Sequence, residues 1–328
     1  MQFPNKIKPG DHIRIIAPSD SASIVTKERI RYAEERLESL GLIVSYGKNI
    51  YTDNDLSLRA VQDKIKDIHS AFEDEKVKAI ISMIGGLSSN LLLDRINWKI
   101  IKKNPKIFCG YSDIDVLSLA INKMANFATY SGVHFSTFSQ INFFDFTLDY
   151  FCKCLMQPHS YKVVPSHQWS DDQWYINQEE RKLYNNDGWW PINVGEAEGV
   201  ILGCNINAFV LLKGTSFLPS LKKSILFLEM AGSGAEILEE FNRRLQSILL
   251  LPEAKFLKAL VIGRFQHNTG ITKDDVARII QSKSRLQKLP VLANVDFGHT
   301  DPKLLLPIGG TVSLEIRPKL SRMVIMKH

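Results

Sequence analysis

The sequence predicts an α/β protein with a doubly wound, mainly parallel sheet in its first half and a second, smaller α/β domain after it. Up to residue 126, short β-branched runs alternate with longer segments of helical period, which is typical of parallel βαβ units. Residues 139–195 are aromatic and irregular, and a new series of strands and helices follows them. The 328 residues are also enough for two domains of about 150 residues each.

The predicted elements of the first half follow one another in a regular order. They are strands at 12–20, 42–47, 77–84 and 106–112, and helices at 26–41, 57–74, from 88 onward with Ser88 or Ser89 as its cap, and 113–126. Parallel strands bring their carboxyl ends to one edge of the sheet, where doubly wound folds bind ligands. The Gly85–Gly86 turn and Ser112 should therefore share that edge.

The second half has its own elements, so we predict domains at 1–165 and 195–328 joined by a crossover at 166–194. Its predicted elements are strands at 223–230, 258–265 and within 289–302, helices at 235–250 and 273–283, and a final strand pair around 308–316. A second α/β domain with its own core is the simplest account of this order.

Composition excludes several classes of function. The net charge is +6 with dispersed basic residues, which argues against a nucleic-acid partner. The amino terminus has no signal-like apolar core, and no segment reaches the ~18 apolar residues of a membrane span, so we expect a cytoplasmic protein without membrane contact. The four cysteines form no C-x-x-C pair, so we expect reduced thiols and no metal site.

Ser112 is the sharpest candidate for chemistry. It lies where a strand turns into a helix, so its hydroxyl should project above the sheet edge, and the next N–H, that of Asp113, can stabilise an oxyanion. Serine and aspartate are also favoured helix caps, so capping alone remains an alternative. Ile114 replaces the second glycine of a G-x-S-x-G elbow, which argues against an ordinary α/β-hydrolase.

A serine nucleophile needs a base and an acid that orients the base. Of eight histidines, His299 is best placed, on a turn after an apolar strand, although a surface turn histidine is the alternative. Glu229 ends the apolar run SILFLE, and a buried carboxylate is costly unless it is paired. Its partner could be an imidazole or one of the arginines Arg243, Arg244 and Arg264.

The turn MIGGLSSN is a further candidate. Gly85 and Gly86 allow the backbone to approach a ligand closely, and the N–H groups that follow can bind a carboxylate or an oxyanion. The turn matches neither a Walker loop nor G-x-G-x-x-G, and a plain tight turn is the alternative.

Seven ordered motifs together resemble the LD-carboxypeptidase family of serine peptidases over nearly the whole chain. They are GDHIRIIAPSD, IGGLSSN, GYSD, EGVILGCNINAF, LFLEM, IGRF and DFGHT. The resemblance implies a flavodoxin-like amino-terminal domain with the nucleophile Ser112, and a second domain that supplies Glu229 and His299 across a cleft. It also implies an acyl-enzyme, an oxyanion site at the N–H groups of Asp113 and Gly86, and no metal or cofactor.

The residues Ile84–Asn90 are similar to the microcin-immunity branch of this family and differ from the Arg-Gly-Gly-Tyr-Gly of murein-recycling members. That branch cleaves the amide between a carboxyl-terminal aspartyl-type residue and a nucleotide-like group. The resemblance makes Gly85, Gly86, Ser88 and Asn90 substrate contacts and suggests a homodimer. Murein tetrapeptide LD-carboxypeptidase activity is the runner-up.

The sequence leaves two alternatives, one for the role of a tryptophan pair and one for the class of protein. Trp189 and Trp190 could stack an adenine ring, a contact worth about 1–3 kcal/mol, or they could cement a domain interface. The chain could also be a solute-binding protein or a non-catalytic relative that only binds its ligand; the missing export signal counts against the former.

Overall fold

The structure, a computed structural model, describes residues 1–52 and 56–328 as two large mixed sheets flanked by helices, with a third sheet of two short strands, Gln168–Trp169 and Tyr184–Asn185. The strands are β1 (His12–Ile16), β2 (Ile43–Tyr46), β3 (Val77–Ser82), β4 (Ile107–Cys109), β5 (Thr129–Ser131), β6 (Tyr161–Val163), β7 (Gln168–Trp169), β8 (Tyr184–Asn185), β9 (Trp190–Asn193), β10 (Gly195–Asn205), β11 (Ser224–Glu229), β12 (Ala259–Gly263), β13 (Val291–Val295), β14 (Leu306–Ile308), β15 (Thr311–Ile316) and β16 (Arg322–Lys327). The helices are α1 (Lys27–Ser39), α2 (Leu58–Glu73), α3 (Trp98–Lys103), α4 (Asp115–Ala125), α5 (Asp145–Leu155), α6 (Ile206–Leu211), α7 (Glu236–Leu249) and α8 (Lys273–Gln281).

The first sheet has the order β14-β5-β4-β3-β1-β2. Strands β1 to β5 are parallel and follow the flavodoxin-like order 2-1-3-4-5. Alternate residues of β3 enter different cores, because Ile80 packs on one face of the sheet and Ala79 and Ile81 pack on the other. Burial on both faces explains why these strands are continuous apolar runs, and the predicted doubly wound fold is confirmed.

The second sheet has the order β6-β16-β15-β10-β11-β12-β13-β9. Its centre, β10 to β13, is parallel, and antiparallel strands complete both sides. Its core is continuous with one face of the first sheet, so the two sheets share packed side chains.

Two short strands cross between the halves of the chain. β14 follows most of the second sheet in sequence but pairs with β5 of the first, and β6 follows the first sheet but pairs with β16 of the second. The domain boundaries at residues 165 and 195 stay a prediction. Each half of the chain contributes a strand to the sheet of the other half, so the sheets do not divide the chain at these residues.

The helix predicted from residue 88 is wrong in extent. Only a 3-10 turn forms at Ser89–Leu92, and the next α-helix begins at Trp98, where the Asn97 side chain accepts the Lys99 N–H. Ser88 makes no capping hydrogen bond, while Ser89 donates both its N–H and its hydroxyl to Asp113. The groups expected to start a helix are used for tertiary contacts instead.

The final strand pair is also different from the prediction. β15 pairs with β16, whereas residues 306–308 leave for the first sheet. Within the described ranges, no helix combines the length and the apolar character that crossing a membrane would require.

Candidate active site

Ser112 lies on a sharp turn between β4 and α4. Its φ of +63° is strained for a residue with a side chain, as expected at a nucleophile elbow. The hydroxyl Oγ lies 3.0 Å from His299 Nε2. Tyr111, not Ser112, occupies the cap position of the 3-10 turn that follows, and it makes no side-chain cap bond. The capping interpretation of Ser112 therefore has no support in the geometry.

His299 lies on the connection between β13 and β14, and Glu229 ends β11. His299 Nδ1 lies 2.9 Å from Glu229 Oε2, whose side chain is only 2% exposed. The carboxylate accepts the Nδ1 proton, so Nε2 is left as the acceptor that faces the Ser112 hydroxyl. The structure thus brings the three predicted residues into one hydrogen-bonded chain.

Gly298 explains why a glycine precedes this histidine. Its φ is +103°, and a Cβ built there would lie 2.7 Å from Glu229 Oε2. A side chain at 298 would clash with the carboxylate that orients His299.

The other oxygen of Glu229 is bound by an amide. Asn205 Nδ2 donates to Glu229 Oε1 at 2.7 Å, and the Asn205 backbone N–H donates to Asp115 Oδ2 at 2.9 Å. Ser131 Oγ donates to the other Asp115 oxygen at 2.6 Å, and burial raises the Asp115 pKa well above its usual range. This network holds the Glu229 carboxylate by the oxygen that does not face His299.

The alternative arginine partners of Glu229 are occupied elsewhere. Arg243 and Arg244 pair with Glu240 on α7, and Arg264 pairs with Asp296. The prediction of an imidazole partner is the one that the geometry supports.

The Gly85–Gly86 turn lies directly against the nucleophile. A Cβ built on Gly85 would lie 3.3 Å from Ser112 Cβ and 3.5 Å from its Oγ, so a side chain there would crowd the serine. The Asp113 carboxylate ties the turn to the elbow, since its Oδ2 accepts the Ser89 N–H at 2.8 Å and the Ser19 hydroxyl at 2.6 Å. These contacts hold the turn against the elbow.

A cavity of about 720 Å³ opens above these residues. Its lining includes Arg29, Gly85, Gly86, Tyr111, Ser112, His134, Trp174, Tyr175, His299 and Lys303. The volume falls in the range of small-molecule sites. Among the described residues, no three His, Cys, Asp or Glu side chains cluster as metal ligands.

Four residues predicted as substrate contacts do not line this cavity. Trp189 and Trp190 pack on the hydrophobic core and donate their indole N–H groups to Asp296 and Asp187. Ser88 is buried, and Asn90 lines a separate depression. Trp174 and Tyr175, from the same tryptophan-rich segment, line the cavity instead.

His134, which the sequence left as a possible base without a clear strand-end context, stacks on Tyr111 with a centroid distance of 4.1 Å. Its Nε2 donates to the Tyr111 carbonyl at 2.8 Å, and burial lowers its pKa from 6.5 to about 3. It follows β5, a strand too short to be recognised in the sequence. A neutral His134 supports the residue next to the nucleophile.

We expect His134 to make stability depend on pH. Between pH 6.5 and about 3 the unfolded chain binds a proton that the folded chain does not, so stability falls as the pH falls. Urea unfolding at pH 7 and pH 5 should show the native protein losing about 2 kcal/mol more than His134→Gln, which cannot titrate. Equal losses in the two proteins would contradict a depressed His134 pKa.

Comparison with known proteins places the chain in a family. The LD-carboxypeptidase N-terminal domain matches residues 13–132, and the LD-carboxypeptidase C-terminal domain matches residues 198–314. YocD of Bacillus subtilis (strain 168), which carries a carboxypeptidase name, is 39% identical over 326 residues, covering 99% of this chain and 100% of its own. The crystal structure of an MccF-like protein from Bacillus anthracis str. Ames is 41% identical, with a TM-score of 0.96 and full coverage of both chains.

The microcin C7 self-immunity protein MccF of Escherichia coli is a more distant relative. It is 26% identical over 321 residues, covering 94% of this chain and 92% of its own. MccF structures in complex with glutamyl sulfamoyl guanosine and aspartyl sulfamoyl adenosine share the fold, with TM-scores of 0.85 and 0.86. They cover 99% and 100% of this chain, and 98% and 99% of their own, at 24% identity. The chain belongs to the LD-carboxypeptidase family and is a serine peptidase.

Proposed function

We propose that this carboxypeptidase cleaves the amide between a carboxyl-terminal aspartyl-type residue and a nucleotide-like group, as a microcin-immunity enzyme would. The observation that carries the proposal is the hydrogen-bonded chain from Ser112 Oγ through His299 to Glu229, which faces the cavity. The aminoacyl sulfamoyl nucleosides bound to MccF support the substrate class.

In the proposed reaction, His299 Nε2 accepts the proton of Ser112 Oγ while Oγ attacks the scissile carbonyl carbon. The oxyanion accepts hydrogen bonds from the N–H groups of Asp113 and Gly86. His299 then protonates the leaving nitrogen and the carbon–nitrogen bond breaks. A water molecule, deprotonated by His299, releases the acyl group and restores Ser112. Glu229 holds the imidazole and stabilises its cation throughout.

Two aromatic side chains can receive the nucleotide-like group. Trp174 and Tyr175 line the cavity together with Ser112, and stacking of a base on an aromatic ring contributes about 1–3 kcal/mol. We assign them the role that the sequence suggested for Trp189 and Trp190. Cytoplasmic location and a homodimer remain predictions.

The test compares two substrates, aspartyl sulfamoyl adenosine and a murein tetrapeptide, each with the native protein and with Ser112→Ala. We expect serine-dependent release of aspartate from the nucleoside, with a higher kcat/KM than release of D-alanine from the tetrapeptide, both followed by mass spectrometry. Release of D-alanine alone would move the protein to murein recycling. Stoichiometric binding of the nucleoside without turnover would identify a non-catalytic relative.

A further inference from the structure

We propose that Arg29 forms an anion subsite in the cleft and binds the negative charge on the leaving-group side of the scissile amide. The subsite deepens the proposed function, on which it rests, because it assigns the recognition of one substrate group to a residue of the same cleft. Sequence motifs gave no indication of it, since Arg29 lies in the first turn of α1, far in sequence from Ser112.

Arg29 lines the cavity and is partly buried there. Its Nε donates to Ser139 Oγ at 3.2 Å, so one edge of the guanidinium is anchored. Among residues 1–52 and 56–328, no carboxylate oxygen lies within 4.0 Å of its nitrogens, and burial lowers its pKa. The charge has thus lost part of its hydration without gaining an anionic partner, which an anionic ligand would supply.

Two aromatic rings lie against the guanidinium. Its central carbon lies 5.0 Å from the Trp174 ring centroid and 5.8 Å from that of Tyr175. Stacked arginines lose less conformational freedom when they bind, and their planar fork matches carboxylate and phosphoryl oxygens.

The other permanent cation of the lining, Lys303, is already paired, and the lining also carries the carboxylates of Asp20, Asp171, Asp172 and Asp301. The Lys303 ammonium pairs with Asp301, and both Asp172 oxygens accept Arg181 Nε at 2.9 Å. His134 is neutral. Within the part of the chain that the structure describes, Arg29 is therefore the permanent cation of this lining that has no carboxylate partner.

The ligand chemistry follows from the scissile bond. A carboxyl-terminal residue carries its carboxylate carbon two bonds beyond the scissile nitrogen, and an acyl phosphoramidate or acyl sulfamate carries its phosphorus or sulfur one bond beyond it. Both present an anionic group with two or more oxygens on the leaving side. A guanidinium fork can bind either group, so the two sources must be separated by experiment.

The experiment measures selectivity with matched substrates in the native protein, Arg29→Met and Arg29→Lys. One pair is a murein tetrapeptide and its carboxyl-terminal amide; the other is aspartyl sulfamoyl adenosine and the neutral aspartyl anilide. In Arg29→Met we expect kcat/KM for the anionic member to fall about 10- to 100-fold more than for the neutral member, as the loss of one hydrogen-bonded charge contact implies. Arg29→Lys should recover part of the preference. Arg31→Met, exposed on the same helix, is the matched control.

The pair that shows the selective loss identifies the source of the anion. Equal changes within both pairs would overturn the subsite. Labelling of Ser112 by a fluorophosphonate tests the subsite independently of the proposed function, because the labelling reaction needs the nucleophile but no substrate. If no substrate is turned over, AMP and D-alanine should still slow this labelling in the native protein more than in Arg29→Met, and equal protection would overturn the subsite.

Discussion

Replacing Ser112 by alanine is expected to lower kcat by at least about 10⁴-fold, because the variant lacks the oxygen that would form the acyl-enzyme. His299 and Glu229 remain hydrogen-bonded to each other in the variant, so substrate binding should persist. The measurement is kcat for the substrate that the native protein turns over faster, with single-turnover trapping of the acyl-enzyme by mass spectrometry.

Ser247→Ala on α7 is the matched control, since this serine bonds to a helix carbonyl and lies outside the cavity lining. It should keep native kcat. Turnover by Ser112→Ala above a few per cent of the native rate would assign the nucleophile to another group.

Replacing Asp296 by alanine is expected to destabilise the fold by about 3–5 kcal/mol, since it leaves a buried cation without its partner. Arg264 Nη2 lies 2.9 Å from Asp296 Oδ1, and the two side chains are 2% and 0% exposed. Asp296 also accepts the Ser166 hydroxyl at 2.5 Å and the Trp189 indole N–H, so it holds the crossover segment to the second sheet. Urea unfolding at pH 7 measures the loss.

Glu35→Ala provides the comparison, because Glu35 forms an exposed pair with Arg31 on α1. Exposed pairs of this kind contribute about 0.3–0.5 kcal/mol. A loss for Asp296→Ala no larger than that for Glu35→Ala would mean that the buried pair does not hold the crossover in place.

The sequence was most informative where chemistry coincides with a strand end. Ser112, Glu229 and His299 each follow an apolar run, and the rule that parallel strands end at one edge predicts their proximity. Their mutual distances depend on contacts between residues far apart in sequence, such as the hydrogen bond from Asn205 to Glu229. Strand periodicity does not reveal such contacts.

The cleft aromatics show the limit of this reasoning. Trp174, Trp189 and Trp190 lie in one irregular segment without periodicity, so nothing local distinguishes the ring that faces the cavity from those that face the core. Arg29 was missed for a related reason, because an arginine in the first turn of an amphipathic helix has the pattern of a solvated residue.

The strands exchanged between the halves were missed because three residues are too few for a recognisable alternation. β14 closes one edge of the first sheet and β6 closes one edge of the second. Each half therefore carries the strand that protects the other half from edge-to-edge pairing with a second molecule. A fragment cut between the two family domains would expose β5 or β16 and would be prone to aggregate, so aggregation resistance is a property of the whole chain.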